Sequence, residues 1–147
     1  TGCVSNFGSA LAGPVSRSFS ELTKGRYGAV KFDSSLEAQS VDVGGVAAEL
    51  SALSVGTRDH LATLVRLALA THLKAPVVLD DQLVHSDASK LSWFRQALLA
   101  AAQKTQVVVL TCRPLDYVAQ AQLPKDAAMA ERDGVRVIDL ERVIERR

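Results

Sequence analysis

Leu53-Ser54-Val55-Gly56-Thr57-Arg58 leads into an apolar stretch ending at Leu73, and Val77-Val78-Leu79-Asp80-Asp81 follows. This succession sets the architecture expected of the whole chain. Positions Leu61, Leu64, Val65, Ala68, Leu69 and His72 recur at helical spacing from Thr57 onward, and Leu67 and Ala70 widen the stripe until the helix is largely buried. Pro76 then opens a short run of continuous apolar character, as expected of a parallel strand covered on both faces. Two carboxylates end that strand.

The pattern continues toward the C-terminus. Asp87 is a good N-cap for a helix with Leu91, Phe94, Leu98 and Ala102 on one face. Gln106 to Thr111 reads as a second buried strand, which Pro114 stops. A short helix is expected from Leu115 to about Gln122, a strand over Val135 to Ile138, and a terminal helix from Leu140 to Arg147. Strand and helix alternate, so the expected fold class is α/β with a parallel sheet joined by right-handed crossovers. Upstream, Tyr27 to Phe32 and Leu36 to Val41 read as a small β-hairpin around Asp33, Ser34 and Ser35, and Gly44-Gly45 breaks the pattern. Phe19 and Leu22 close a short helix that Gly25 ends. Residues 1–16, rich in Gly, Ser and Ala and containing Pro14, read as a loosely ordered lead-in.

Composition bounds the function. The chain of 147 residues is about one domain, and 48% hydrophobic with 22% charged residues is ordinary for a soluble globular protein. A net charge of +1 gives no global footprint for nucleic acid, although Arg17, Lys24, Arg26 and Lys31 cluster early and Arg142, Arg146 and Arg147 come late. The two cysteines, Cys3 and Cys112, form neither a disulfide framework nor a metal-ligand spacing, and a reduced intracellular thiol is expected. No run approaches the roughly 20 apolar residues of a membrane helix, and no signal-peptide pattern opens the chain. A cytoplasmic protein with no membrane partner is the expectation. A start at Thr1 suggests a segment of something longer.

Two places carry chemistry. At the start of the first long helix, backbone N–H groups are unpaired and the macrodipole is positive, so Ser54, Gly56 and Thr57 can present donors to a phosphate. The plainer reading of the same residues is an N-cap and a tight turn. Asp80 and Asp81 at a strand's carboxyl end repel each other and need a cation or donors to compensate. Ligands of open α/β sheets bind beyond such strand ends, where one acid can hold magnesium and the next orient a water. The plainer reading here is a pair of solvated loop acids. The three histidines form no site: His72 reads as a packed residue, while His60 and His85 lie near the two motifs. Trp93 and Phe94 read as packing residues.

In order, these motifs resemble the ATPase heads of ABC type. Leu53 to Arg58 is similar to the signature motif, Val77 to Asp81 to the Walker B strand, Leu83-Val84-His85-Ser86-Asp87 to the D-loop, and Gln106 to Arg113 to the strand before the switch loop. The set resembles most the SMC-like DNA-repair ATPases, YhaN-type proteins among them, with Leu22 to Tyr27 similar to a segment before their signature. The likeness covers residues 19 to about 118.

The resemblance implies ATP and Mg2+ as cofactors. It gives Ser54, Gly56 and Thr57 to nucleotide held by an opposing head, Asp80 to magnesium, Asp81 to the attacking water and Asp87 to the subunit interface. Arg113 is either a phosphate contact in place of the absent switch histidine or a surface arginine. Val55 and Thr57 depart from the commonest signature, and Asp81 stands where many members carry glutamate.

A P-loop needs G-x-x-x-x-G-K-[ST], and no lysine of this chain follows glycine. The family carries that motif in an N-terminal lobe across a long coiled coil. The implied organisation is therefore a lead-in over 1–18, where such a coiled coil would end, and a C-terminal ATPase-head lobe over 19–147, the parallel-sheet half of a P-loop head. Implied partners are the Walker A lobe of the same parent, a second head forming a homodimer, and DNA by family analogy alone, with nucleoid association as a corollary. One alternative is a degenerate scaffold or dimerisation module that turns nothing over. Another, a phospho-acceptor domain, lacks the third strand-end aspartate it needs.

Overall fold

A long helix begins the computed structural model, which describes residues 2–81, 83 and 86–145. Helix α1 (Gly2–Leu22) replaces the loose lead-in expected there. Leu11, Val15, Phe19 and Leu22 fall on one stripe and are buried, so the segment is held by its apolar face despite Pro14 and the small residues around it. Its end is a two-bond left-handed cap: Gly25 N–H donates to Ser20 O at 2.8 Å and Lys24 N–H to Glu21 O at 3.1 Å. Lys24 (φ 54°) shares the left-handed conformation with the expected terminator Gly25 (φ 79°).

The chain divides into two compact units, Thr1–Leu110 and Thr111–Arg147. In the first, β1 (Val30–Phe32), β2 (Ala38–Val43) and β3 (Val46–Glu49) form an antiparallel sheet in sequence order. The expected hairpin thus gains a third strand. Gly44 and Gly45, at φ 62° and 89°, do not break the pattern but make the two-residue turn that pairs Val43 with Val46. Val30 and Val41 face each other, both buried, and Val30 N–H donates to Ser16 Oγ at 2.8 Å, which fastens the sheet to α1. Phe19 stacks on Tyr27 at 5.2 Å between centroids.

Helix α2 (Val55–Leu73) packs on α1 and leads to β4 (Val77–Asp80), then α3 (Ala88–Ala102) and β5 (Val107–Leu110). Strands β4 and β5 pair in parallel, from Val77 opposite Val107 to Asp80 opposite Leu110, as a strand–helix–strand unit must. The expected covering of both faces does not hold. Val77 and Leu79 are buried while Val78 is 57% exposed, and the residues of β5 are half-buried or exposed. The buried faces also differ in detail. His60, Leu61, Thr63, Leu64, Leu67 and Ala70 line the core side of α2, whereas His72, expected to be packed, is exposed. On α3 the last buried position is Ala101 rather than Ala102. Phe94 and Leu79, both 0% exposed, anchor this half of the core, each contributing about 1.5–3 kcal/mol.

In the second unit, the short helix expected after Pro114 resolves into two 3-10 turns, Pro114–Asp116 and Gln120–Gln122. The expected strand β7 (Val135–Ile138) forms, but it pairs antiparallel with β6 (Met129–Arg132), which has no counterpart in the sequence reading. Gly134 at φ 73° and Asp133 at φ 52° make the turn between them. Within the described residues the parallel sheet is therefore two strands wide, not three. Helix α4 (Leu140–Glu145) ends the described chain, and Arg146 and Arg147 lie outside it. The α/β class holds.

Candidate functional site

The N-terminus of α2 is built as a cap. Ser54, extended at φ −61° and ψ 155°, accepts the Thr57 N–H on its Oγ at 3.2 Å, and the two hydroxyls lie 2.8 Å apart. Leu53 is buried and fixes the entry of the chain, whereas Ser54 is exposed and Gly56 and Thr57 are half-buried. The plainer reading and the phosphate reading therefore describe one geometry. A capped, outward-facing first turn offers two hydroxyls, and the N–H groups of Val55 and Gly56 have no partner within the helix. Gly56 adds no side chain between its backbone and a ligand.

On β4, Leu79 points inward, which places Asp80 with Val78 on the exposed face of the strand. Asp81 N–H extends the ladder by one bond, donating to Leu110 O at 3.0 Å. Asp81 itself has φ 44°, a left-handed conformation that aspartate tolerates better than most residues but still at a cost. The backbone thus turns sharply between the two acids, and the pair is half-buried at Asp81 and exposed at Asp80. Exposure resolves much of the desolvation problem the sequence posed. Among the described residues no group of three or more His, Cys, Asp or Glu could hold a metal ion. Carboxylates are the donors magnesium takes, one or two of them together with phosphates and water, so Asp80 and Asp81 are of the chemistry that could hold it.

Asp87 caps α3 as expected, accepting from Lys90 N–H at 2.9 Å and pairing with the Lys90 ammonium at 3.0 Å. The Lys90 backbone N–H first, and its side chain second, hold the Asp87 carboxyl below its ordinary value of 3.8. A lowered folded-state value means that the cap stabilises the fold above the ordinary carboxylate range and is lost as pH falls through the lowered value. Asp87→Ala is accordingly expected to be less stable than the wild type at neutral pH, with the gap closing in strong acid. Urea midpoints at the two pH values check this, and a gap of constant size would contradict it.

Arg113 is engaged within its own unit. Its Nε lies 2.9 Å from Asp116 Oδ2 and its Nη2 donates to Asp116 Oδ1 at 3.3 Å, while its N–H donates to Thr111 Oγ1 at 2.9 Å. Contact with a phosphate would require that pair to open. Of the D-loop segment, Leu83 is buried and Ser86 is half-buried, whereas Val84 and His85 lie outside the described residues. The side chain of Cys3 does too, and Cys112 is exposed. Among the described residues no helix is long and apolar enough to cross a membrane.

One residue was undervalued by the sequence reading. His60 is 3% exposed, its Nε2 lies 2.7 Å from Ser86 Oγ, and its ring packs on Phe94 at 5.4 Å between centroids. Its place at i, i+4, i+7 with Leu64 and Leu67 was the available signal.

No protein-family model and no curated protein matches the chain. Solved structures do. An SmcHead bound to the C-winged helix domain of ScpA superposes with a TM-score of 0.64 at 18% identity, over 94% of this chain and 45% of that one. A chain from a study of ATP-driven dimerization and DNA-stimulated activation of SMC ATPases gives 0.62 at 18% identity, over 95% of this chain and 90% of that one. The Smc head domain of Pyrococcus furiosus, with an extended coiled coil and bound to the C-terminal domain of ScpA, gives 0.63 at 18% identity, over 93% of this chain and 36% of that one. The fold is thus that of SMC head domains, and this chain spans less than half the length of the first and third of these neighbours.

Proposed function

We propose that this chain is the C-terminal lobe of an SMC-like ATPase head, which binds and hydrolyses ATP once completed by a Walker A lobe and paired with a second head. The observation that carries the reading is one unit, α2–β4, with an outward-facing Ser54-Gly56-Thr57 cap at its start and the Asp80-Asp81 turn at its end. Its setting in an SMC-head fold supports the same assignment. Ser54, Gly56 and Thr57 take the terminal phosphate of nucleotide held by the opposing head, and Asp87 lies at the interface with it. Asp80 holds magnesium, whose chemistry is to neutralise phosphate charge. Asp81 orients and polarises the attacking water. Coupling to DNA maintenance follows by analogy with the neighbours.

The 147-residue chain alone is expected to bind ATP feebly and hydrolyse almost none, and addition of its Walker A lobe to restore turnover. Measuring phosphate release from each sample tests this. Robust turnover by the chain alone would overturn the reading. Aspartate in place of glutamate at position 81 favours one second reading, a head that pairs on ATP without hydrolysing it. ATP-dependent dimerisation with no phosphate release from the completed head would select it.

A further inference from the structure

The residues assigned above to the opposing head come from two separate places, the first turn of α2 and the start of α3. A partly buried polar bridge joins them. His60, in the second turn of α2 beyond Ser54, Gly56 and Thr57, reaches Ser86 Oγ at 2.7 Å, and Ser86 is the residue immediately before the Asp87 cap. Ser86 is also held locally, its N–H donating to Leu83 O at 3.0 Å. Phe94 of α3 packs on the imidazole from the side, so the ring is clamped between the two helices. A hydrophobic side chain would fill this site as well and at less desolvation cost. What the imidazole adds is direction, because a hydrogen bond fixes Ser86 relative to α2 where apolar packing would let it slide.

We propose that His60 is a positioning residue that, through Ser86, holds the two partner-facing elements in register for pairing of heads. This rests on the proposed head reading. The bridge links the two elements that the head reading turns toward the partner, so its loss is expected in assembly, with turnover of the assembled dimer as the control.

The test uses the completed head with His60→Leu, His60→Gln, Ser86→Ala and the double variant His60→Leu/Ser86→Ala. His60→Leu and Ser86→Ala are each expected to raise the head concentration for half-maximal turnover about tenfold, the effect of losing roughly one hydrogen bond with its partner left behind. Turnover at saturating head concentration stays within about twofold of wild type. The double variant is no worse than the worse single one, because both remove the same bond. His60→Gln, which keeps a donor and an acceptor, recovers most of the loss. Additive effects, no rescue by glutamine, or a fall in saturated turnover with assembly unchanged would each overturn the proposal.

Amide exchange in the 147-residue chain separates the two levels. His60→Leu is expected to speed exchange at Ser86 and Lys90 about tenfold, and unchanged exchange there overturns the bridge whatever the head does. A wild-type completed head that neither pairs nor hydrolyses, with the exchange effect present, overturns the head reading and leaves the bridge standing as a link between α2 and α3.

Discussion

Asp81→Asn in the completed head is expected to lower single-turnover ATP hydrolysis by about 100-fold or more while ATP-dependent pairing of heads persists. The substitution keeps the shape of the side chain and removes its charge. General-base and water-orienting carboxylates commonly contribute factors of about 10² to 10⁴, so the lower figure is a cautious expectation for a chain that uses the shorter acid. Asparagine also tolerates the left-handed conformation that Asp81 adopts at φ 44°, so the turn after β4 survives the change. Pairing is expected to persist because Ser54, Gly56 and Thr57 are unchanged. Phosphate release under single-turnover conditions and size-exclusion chromatography with and without ATP read the two effects separately. Full turnover by Asp81→Asn, or by Asp81→Ala, would remove Asp81 from the mechanism.

The second large effect is on stability. Phe19 is 0% exposed, stacks on Tyr27 and lies on the helix stripe with Val15 and Leu22. Phe19→Ala removes most of a buried ring from a site where helix, sheet and a second aromatic meet, and such truncations cost about 3–5 kcal/mol. For a chain of this size that corresponds to a fall in Tm of roughly 10 °C. The fluorescence of Trp93, the one tryptophan, follows the unit that contains α1, so urea unfolding monitored there measures the loss. A cost below about 1 kcal/mol would mean that α1 is not docked and that the N-terminal segment is the loose lead-in its composition suggests.

How far the sequence could be read depended on the kind of signal each segment carried. Helix α2 and its Ser54 cap, the Asp87 cap of α3 and the strands β4 and β5 were legible, because local capping chemistry and apolar periodicity both pointed the same way. Gly44-Gly45 was legible as a turn but not as a link between strands, since β3, with Val46-Ala47-Ala48-Glu49, has too little alternation to stand out. Strand β6 was invisible for the same reason: Met129-Ala130-Glu131-Arg132 carries no strand pattern, and only pairing with β7 makes it one. The end of helix α1 at Phe19, Leu22 and Gly25 was legible but its extent back to Gly2 was not. Glycine, serine and proline have poor helix propensity, and only burial of Leu11, Val15, Phe19 and Leu22 against other elements overrides it.

The candidate site divides along the same line. Residue order alone determined that a capped helix start, a strand ending in Asp80-Asp81 and a second capped helix follow one another, because caps and strand ends are written in adjacent residues. Only the tertiary structure decided that Asp81 turns left-handed and that His60 reaches Ser86 across 26 positions. Those are relations between groups distant in the chain or set by the path of the backbone. The His60–Ser86 bond exists only once burial has fixed α2 against α3, and no local pattern of residue types encodes it.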